Sequence, residues 1–336
     1  MSSAPIPLEV WIVRDYDKTI GPDTTDSFTK FLGREPAKEL YPSYVENGKK
    51  GYGVGVSFCK TVTDFSNRLE APITRTLLEA YGPQHPEYPG AAEFVLRKKA
   101  ELEAAYPGTV HVRNAIASTG IRELLAQTPS GRVADAIYAS QFNFNDEGVV
   151  PPDPSKPQDA LVGFRKPLEP LQKVEVLAAI ERGVMPHALA QNPFAASPTG
   201  ANDFVAARAE GQHAKRKVLL ITFGDGNTDD WAAQETLLKG GKFIAVHEPG
   251  SEPAKKKAET LRAAGLTETV VPADYRQGSE LDQAFDAIVH QAIAAIEAPA
   301  RSAEKAQTLS IFAEGGVQRL SLDGGKDADR SPDRTK

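Results

Sequence analysis

Cysteine is nearly absent: Cys59 is the single one in 336 residues. That excludes an internal disulfide framework and a cysteine-rich zinc site, and it suits a reducing compartment. Apolar runs are short, far from the ~20 residues that a membrane-crossing helix needs. Residues 1–7 show no basic stretch leading into an apolar core, so neither a membrane anchor nor a targeting segment is expected. Basic charge is in deficit: 39 Lys plus Arg stand against 45 Asp plus Glu, a net charge of −6. A non-specific nucleic-acid binder usually carries a basic surplus, so nucleic acid is not an expected partner. The histidines, His85, His111, His187, His213, His247 and His290, are scattered without ligand spacing and form no metal set. A soluble, cytoplasmic protein is the expectation.

What is present is ordinary globular composition, with 40% hydrophobic and 25% charged residues. At about 150 residues per domain, the length suits two domains or one domain with a large insertion. Short, nearly continuous apolar runs predict strands at 8–14, 110–117, 134–138, 217–223, 242–246 and 267–271. Such runs suit strands buried on both faces. Helical spacing predicts helices at 91–106, 120–127, 170–182, 229–238, 252–264 and 279–297, several of them stopped by glycine (Gly183, Gly240, Gly265). Strands alternating with helices predict an α/β fold, a Rossmann-like parallel sheet flanked by helices.

Two stretches interrupt the alternation. Residues 21–108 are far longer than an ordinary crossover and include Gly51-Tyr-Gly-Val-Gly55, which reads as a mainly helical cap inserted after the first strand. Residues 143–167, rich in Pro, Asp and Gly, read as a long surface loop. The expected division is a core of 1–20 and 109–300, a cap of 21–108, and a partly disordered tail of 301–336.

Ligands in open α/β sheets bind at the C-terminal ends of the strands, and polar clusters stand there. Asp15-Tyr-Asp-Lys-Thr19 puts two carboxylates directly after a buried strand, where they need a partner or a cation unless they cap a helix. Ser118-Thr-Gly120 ends the second strand; it reads as a plain N-cap or as a phosphate-holding helix start. Lys173, near the start of the helix at 170–182, is a solvated lysine or a fixed ammonium for phosphate, with Lys166 as its competitor. Gly224-Asp-Gly-Asn-Thr-Asp-Asp230 suits a tight turn around a metal. It is not a calcium EF-hand loop: Asp230 stands where that loop needs glycine, and Thr236 where it needs glutamate.

The order of these clusters resembles the haloacid dehalogenase-like (HAD) hydrolase superfamily. Ser118-Thr-Gly-Ile-Arg-Glu-Leu-Leu125, Lys173 with Gly183 ten residues on, and Gly224-Asp-Gly-Asn-Thr-Asp229 followed by Gly240-Gly241 are similar to segments of its phosphoserine-phosphatase-like members. The resemblance runs from about residue 8 to 295.

By position, the resemblance implies that Asp15 is the nucleophile and forms an aspartyl-phosphate. Asp17 would be general acid and then base, with its backbone carbonyl on the metal. Thr19 would support the substrate-binding loop, Ser118, Thr119 and Gly120 would hold phosphate oxygens, and Lys173 would neutralise charge. Asp15, Asp17, Asp225 and Asp229 would hold Mg²⁺. Lys18 stands where the family often has a small residue; it is a solvated loop residue or an added cation. The implied activity is Mg²⁺-dependent hydrolysis of a small phosphorylated metabolite, with the cap choosing the substrate. A phosphotransferase with the same intermediate and a non-catalytic regulatory or scaffold protein are the alternatives.

Overall fold

The β1 strand, Leu8–Arg14, is buried along nearly its whole length and lies near the middle of the sheet. The computed structural model describes residues 7–148, 152–182 and 217–297. The expected helix stop Gly183, His187, His213 and the tail at 301–336 lie outside them. The remaining described strands are β2 (Val110–Ile121), β3 (Ala136–Phe144), β4 (Leu161–Lys166), β5 (Lys217–Gly224), β6 (Lys242–His247) and β7 (Thr269–Pro272). They form one sheet in the order β4-β3-β2-β1-β5-β6-β7. All neighbours are parallel except β4, which runs antiparallel to β3.

Alternation along the strands sends successive side chains to opposite faces. On one face Trp11, Val13, Ala117, Tyr138 and Leu220 pack with Val176, Leu177 and Ile180 from the helix Pro170–Arg182. Elsewhere in the core Phe223 of β5 meets Phe94, Tyr275 and Phe285, the rings of Phe94 and Phe285 lying edge-on at 5.1 Å. Phe94 belongs to the helix Ala91–Ala105, which packs along β2 as a crossover helix does. Its Lys98 is 1% exposed and reaches Asp282 at 2.8 Å and Asp286 at 2.7 Å on the helix Glu280–Glu297. Residues 7–292 belong to one unit by contact, and 293–297 continue that helix. No helix among the described residues is long and apolar enough to cross a membrane.

Two local expectations are corrected. The stretch 143–167 is not all loop, because β3 runs to Phe144 and β4 fills 161–166. The strand signal of β4 is faint, since its residues are mostly half-buried and its flanks are rich in proline and charge. The helix expected at 120–127 shrinks to Arg122–Leu125 because β2 continues to Ile121. Pairing of β2 with β3 is regular to Ser118, opposite Ala139, and then jumps to Ile121, an irregularity that leaves Thr119 and Gly120 out of the pairing. Ser140 of β3 holds this kink by donating its hydroxyl to the Thr119 carbonyl at 2.7 Å. Bulges of this kind re-aim side chains at sheet ends.

Between β1 and the crossover helix lie the helices Thr24–Phe31, Pro36–Glu39, Tyr41–Lys49, Val54–Arg68 and Arg75–Tyr81. They are tied to the β4 side of the sheet. Leu161 N–H donates to Ile73 O at 2.7 Å, Arg75 N–H to Asp159 O at 2.9 Å, and Arg75 pairs with Asp146 and Glu147. Glu169 supplies the other tie. Its two carboxylate oxygens accept from the N–H groups of Gly55 and Val56, each at 2.9 Å, and so cap the helix Val54–Arg68 from outside.

The glycines of 51–55 explain the closeness. A Cβ on Gly53 would lie 2.6 Å from Glu169 Oε1, and one on Gly55 would lie 2.6 Å from the Leu168 carbonyl oxygen. Gly55→Ala is therefore expected to destabilise the protein by about 1–3 kcal/mol, because main chain must move. Gly48→Ala, on the helix Tyr41–Lys49 with nothing within 4 Å of its Cβ, is expected to be neutral or stabilising by up to about 1 kcal/mol. Denaturant midpoints of the two variants check the reversal of sign.

Candidate active site

The strand register assembles the site. Arg14, the last residue of β1, pairs with Ile116 on one side and Phe223 on the other. Because the three strands are parallel, Asp15, Ser118 and Asp225 all fall just past that line, at the same end of the sheet.

Asp15 is buried. Its N–H donates to Phe223 O at 3.0 Å, and its Oδ1 accepts from Tyr16 N–H at 2.8 Å. Lys173, 2% exposed, comes in from the helix Pro170–Arg182. Its Nζ lies 3.2 Å from Asp15 Oδ1 and 2.6 Å from Asp229 Oδ1. Asp229 Oδ2 in turn accepts the Asp225 N–H at 3.2 Å. Carboxylate oxygens of Asp15, Asp225 and Asp229 lie within 4.8 Å of one another. The glycine before this loop is required: a Cβ on Gly224 would sit 2.4 Å from the Asp229 carboxyl carbon.

Charges crowded here shift one another. Burial pushes the Asp15 carboxyl up to about 7; Lys173 pulls against that, while Asp229 and Asp225 push the same way. Burial works against the Lys173 ammonium, but Asp15 and Asp229 outweigh it and raise its pKa. Asp17 is raised well above the usual carboxylate range by burial first and by Asp23 and Asp15 next. Its Oδ1 accepts from Thr24 N–H, at 2.8 Å, where the helix Thr24–Phe31 begins.

Of the residues singled out in the sequence, Asp15, Lys173, Asp225 and Asp229 are brought into one connected cluster. Asp17 stands beside it but is absent from the set of three carboxylates close enough to share an ion. Thr19 is fully buried, and its carbonyl accepts the Tyr275 hydroxyl at 2.8 Å, which fixes the loop after Asp17. Ser118 is fully buried, and its Oγ accepts from Gly120 N–H at 3.1 Å. Thr119 and Gly120 lie in the irregular end of β2, not at a helix start. Lys166 closes β4 and is half-buried, with its pKa lowered to about 8 by burial; the ammonium seated on Asp15 is that of Lys173.

Lys18 is exposed, and its φ of 62° is the one left-handed non-glycine conformation among the described residues. Lys18→Gly is expected to raise stability by about 1 kcal/mol, since only glycine adopts that backbone without steric cost. A shift of the denaturant midpoint checks it.

Sequence reading missed three groups at the site. Thr24 holds Asp17 through a main-chain N–H, which no side-chain pattern advertises. Arg14 is fully buried directly before Asp15 and donates to the Ala91 carbonyl at 2.7 Å. Lys257, from the helix Glu252–Ala263, places its Nζ 2.9 Å from Asp225 Oδ2.

Hard carboxylate oxygens in this arrangement match what Mg²⁺ takes, and the donor set contains no sulfur or imidazole that would favour a softer metal. No protein-family model and no curated protein sequence matches the chain. Solved structures are similar to it. One is a phospho-aspartyl intermediate analogue of phosphoserine phosphatase, at 15% identity over 83% of this chain and 98% of that chain, with a TM-score of 0.47. A substrate-bound phosphoserine phosphatase complex is similar at 14% identity over 83% and 97%, with a TM-score of 0.47. A HAD family hydrolase from Salmonella enterica subsp. enterica serovar Typhi is similar at 16% identity over 75% and 67%, with a TM-score of 0.43.

Proposed function

We propose that this chain is a Mg²⁺-dependent phosphatase that hydrolyses a small phosphorylated metabolite through an aspartyl-phosphate on Asp15. The observation that carries the reading is the position of Asp15: a buried carboxylate at a strand end, seated on the Lys173 ammonium and flanked by Asp225 and Asp229.

The chemistry follows from those positions. Asp15 forms a new O–P bond while the bond from phosphorus to the leaving oxygen breaks. Asp17, held by Thr24 N–H, gives a proton to the leaving oxygen. A carboxyl with a raised pKa suits that donor role. Asp17 then takes a proton from water, which attacks the phosphorus of the aspartyl-phosphate and frees Asp15. Splitting one slow displacement into two is the gain of covalent catalysis.

A phosphate dianion and a carboxylate nucleophile repel each other. Lys173 offsets that repulsion, and Ser118 with the N–H of Thr119 would hold the phosphate oxygens, Gly120 N–H fixing the Ser118 hydroxyl. Asp15, Asp225 and Asp229, with the main-chain carbonyl of Asp17, would hold Mg²⁺, which when bound supplies Lewis-acid polarisation of the phosphoryl oxygens. The helices within 24–81 would form the cap, and substrate choice would rest with them.

The test is phosphate release from an aryl phosphate by chelator-stripped protein, with and without added Mg²⁺. Metal-dependent turnover, with ³²P label bound to wild type and absent from Asp15→Asn, supports the reading. Label transfer to a non-water acceptor in preference to phosphate release favours a phosphotransferase. Absence of both Mg²⁺ binding and turnover overturns the enzyme reading.

A further inference from the structure

The Gly-Asp-Gly loop is shaped around two side chains that approach from outside it. Gly224 leaves room for Asp229, as described above. Gly226 leaves room for Lys257: a Cβ there would lie 2.1 Å from Lys257 Cε and 2.6 Å from its Nζ. The lysine stem therefore occupies the space that the second glycine vacates, and its ammonium ends 2.9 Å from Asp225 Oδ2. Its neighbours in the Lys255-Lys256-Lys257 run are exposed, while Lys257 is half-buried. The helix is anchored to the sheet just beyond this lysine by Ala258 and Leu261, which are fully buried.

This contact bears on the cation, and the inference rests on the metal reading above. Three carboxylates already face two ammoniums, Lys173 on Asp15 and Asp229, and Lys257 on Asp225. A divalent ion held by Asp225 shares that carboxylate with a fixed positive charge and is repelled by it. Lys173 cannot be relieved of its place, because it is buried and is assigned to the phosphoryl chemistry. Lys257 is different: at 40% side-chain exposure it can swing to solvent and give up its hold. We propose that Lys257 is a resident counter-ion of Asp225 that competes with the divalent cation and so sets how tightly the site holds it.

The experiment is calorimetric titration of Mg²⁺ into chelator-stripped full-length protein, without substrate. Wild type, Lys257→Gln, Lys257→Arg, Lys256→Gln and Asp225→Asn are compared. Lys257→Gln is expected to tighten Mg²⁺ binding about fivefold or more, a size consistent with removing one partly screened charge beside a divalent ion. Lys256→Gln makes the same change of net charge one residue away and is expected to shift the affinity less than about twofold. Lys257→Arg is expected to stay near wild type.

Equal affinities for Lys257→Gln and Lys256→Gln overturn the proposal. Weaker binding by Lys257→Gln overturns it too, since it would make Lys257 a support that positions Asp225 for the ion. Asp225→Asn separates the two readings. Where wild type binds and Asp225→Asn does not, the metal reading stands and the Lys257 comparison alone decides. Where wild type itself binds no Mg²⁺, the metal reading and this inference fall together.

Discussion

Asp15→Asn is expected to abolish phosphate release, by about 10³-fold or more, while leaving the fold intact. The amide cannot form the aspartyl-phosphate, and losing a nucleophile that works as part of a unit costs nearly all of that unit's contribution. Stability should move the other way. Asp15 is one of three carboxylates within 4.8 Å, and its burial opposes ionisation. An uncharged, near-isosteric side chain removes the mutual repulsion with Asp225 and Asp229, so the melting temperature in chelating buffer is expected to hold or rise. Loss of activity together with a retained or raised Tm is a result that unfolding cannot imitate. Parallel measurements of phosphate release and thermal unfolding check both halves.

Lys173→Met is expected to show the opposite pattern, losing both activity and stability. The ammonium bridges Asp15 and Asp229 at 3.2 and 2.6 Å, and all three groups are buried. Methionine fills similar volume but leaves the carboxylates without their cation. Removing one partner of a buried charge cluster costs about 3–5 kcal/mol, and the loss should be seen in full in chelating buffer. Added Mg²⁺ is expected to recover part of it, because an ion held by the same carboxylates restores positive charge. Turnover is expected to fall by about 10²–10³-fold even with saturating Mg²⁺, since the phosphoryl group still loses a fixed cation. Urea unfolding with chelator and with Mg²⁺, alongside steady-state kinetics, checks these outcomes. A variant as stable as wild type in chelator would show that the Lys173 contact carries no net stabilisation.

Much of this arrangement was legible in the sequence, for a specific reason. The strand runs at 8–14, 217–223 and 242–246 are buried on both faces and so are nearly continuous in apolar residues, which fixes their ends within a residue or so. The candidate residues follow those ends directly, so short-range spacing locates them. The helix Pro170–Arg182 was readable from its opening proline and apolar spacing, but its pattern left Lys173 and Lys166 as competitors, and only the family resemblance singled out Lys173.

What stayed hidden depends on contacts distant in the chain. Lys257 is one of three consecutive lysines, and nothing local marks the one that meets Asp225, 32 positions away. Glu169 looks like an ordinary acid before a helix, yet its carboxylate caps another helix more than a hundred residues earlier. β4 hid because an edge strand that is only half-buried lacks a strong apolar signature. The helix Ala91–Ala105 was legible as a helix, but that it lies on the sheet was not, since its buried face includes Lys98.

The ties between the inserted helices and the β4 side of the sheet have a consequence for protein engineering. Exchanging the insertion for another, to redirect the protein toward a different compound, looks from the chain alone like replacing one continuous piece. The hydrogen bonds say otherwise: Ile73, Arg75 and Gly55 are matched to Leu161, Asp159 and Glu169. A functional chimera must transplant the stretch from β3 to residue 169 together with the insertion, as two pieces of one module. A donor graft that keeps the recipient's Leu168-Glu169 must also bring glycines at the positions of Gly53 and Gly55, or the seam will not close.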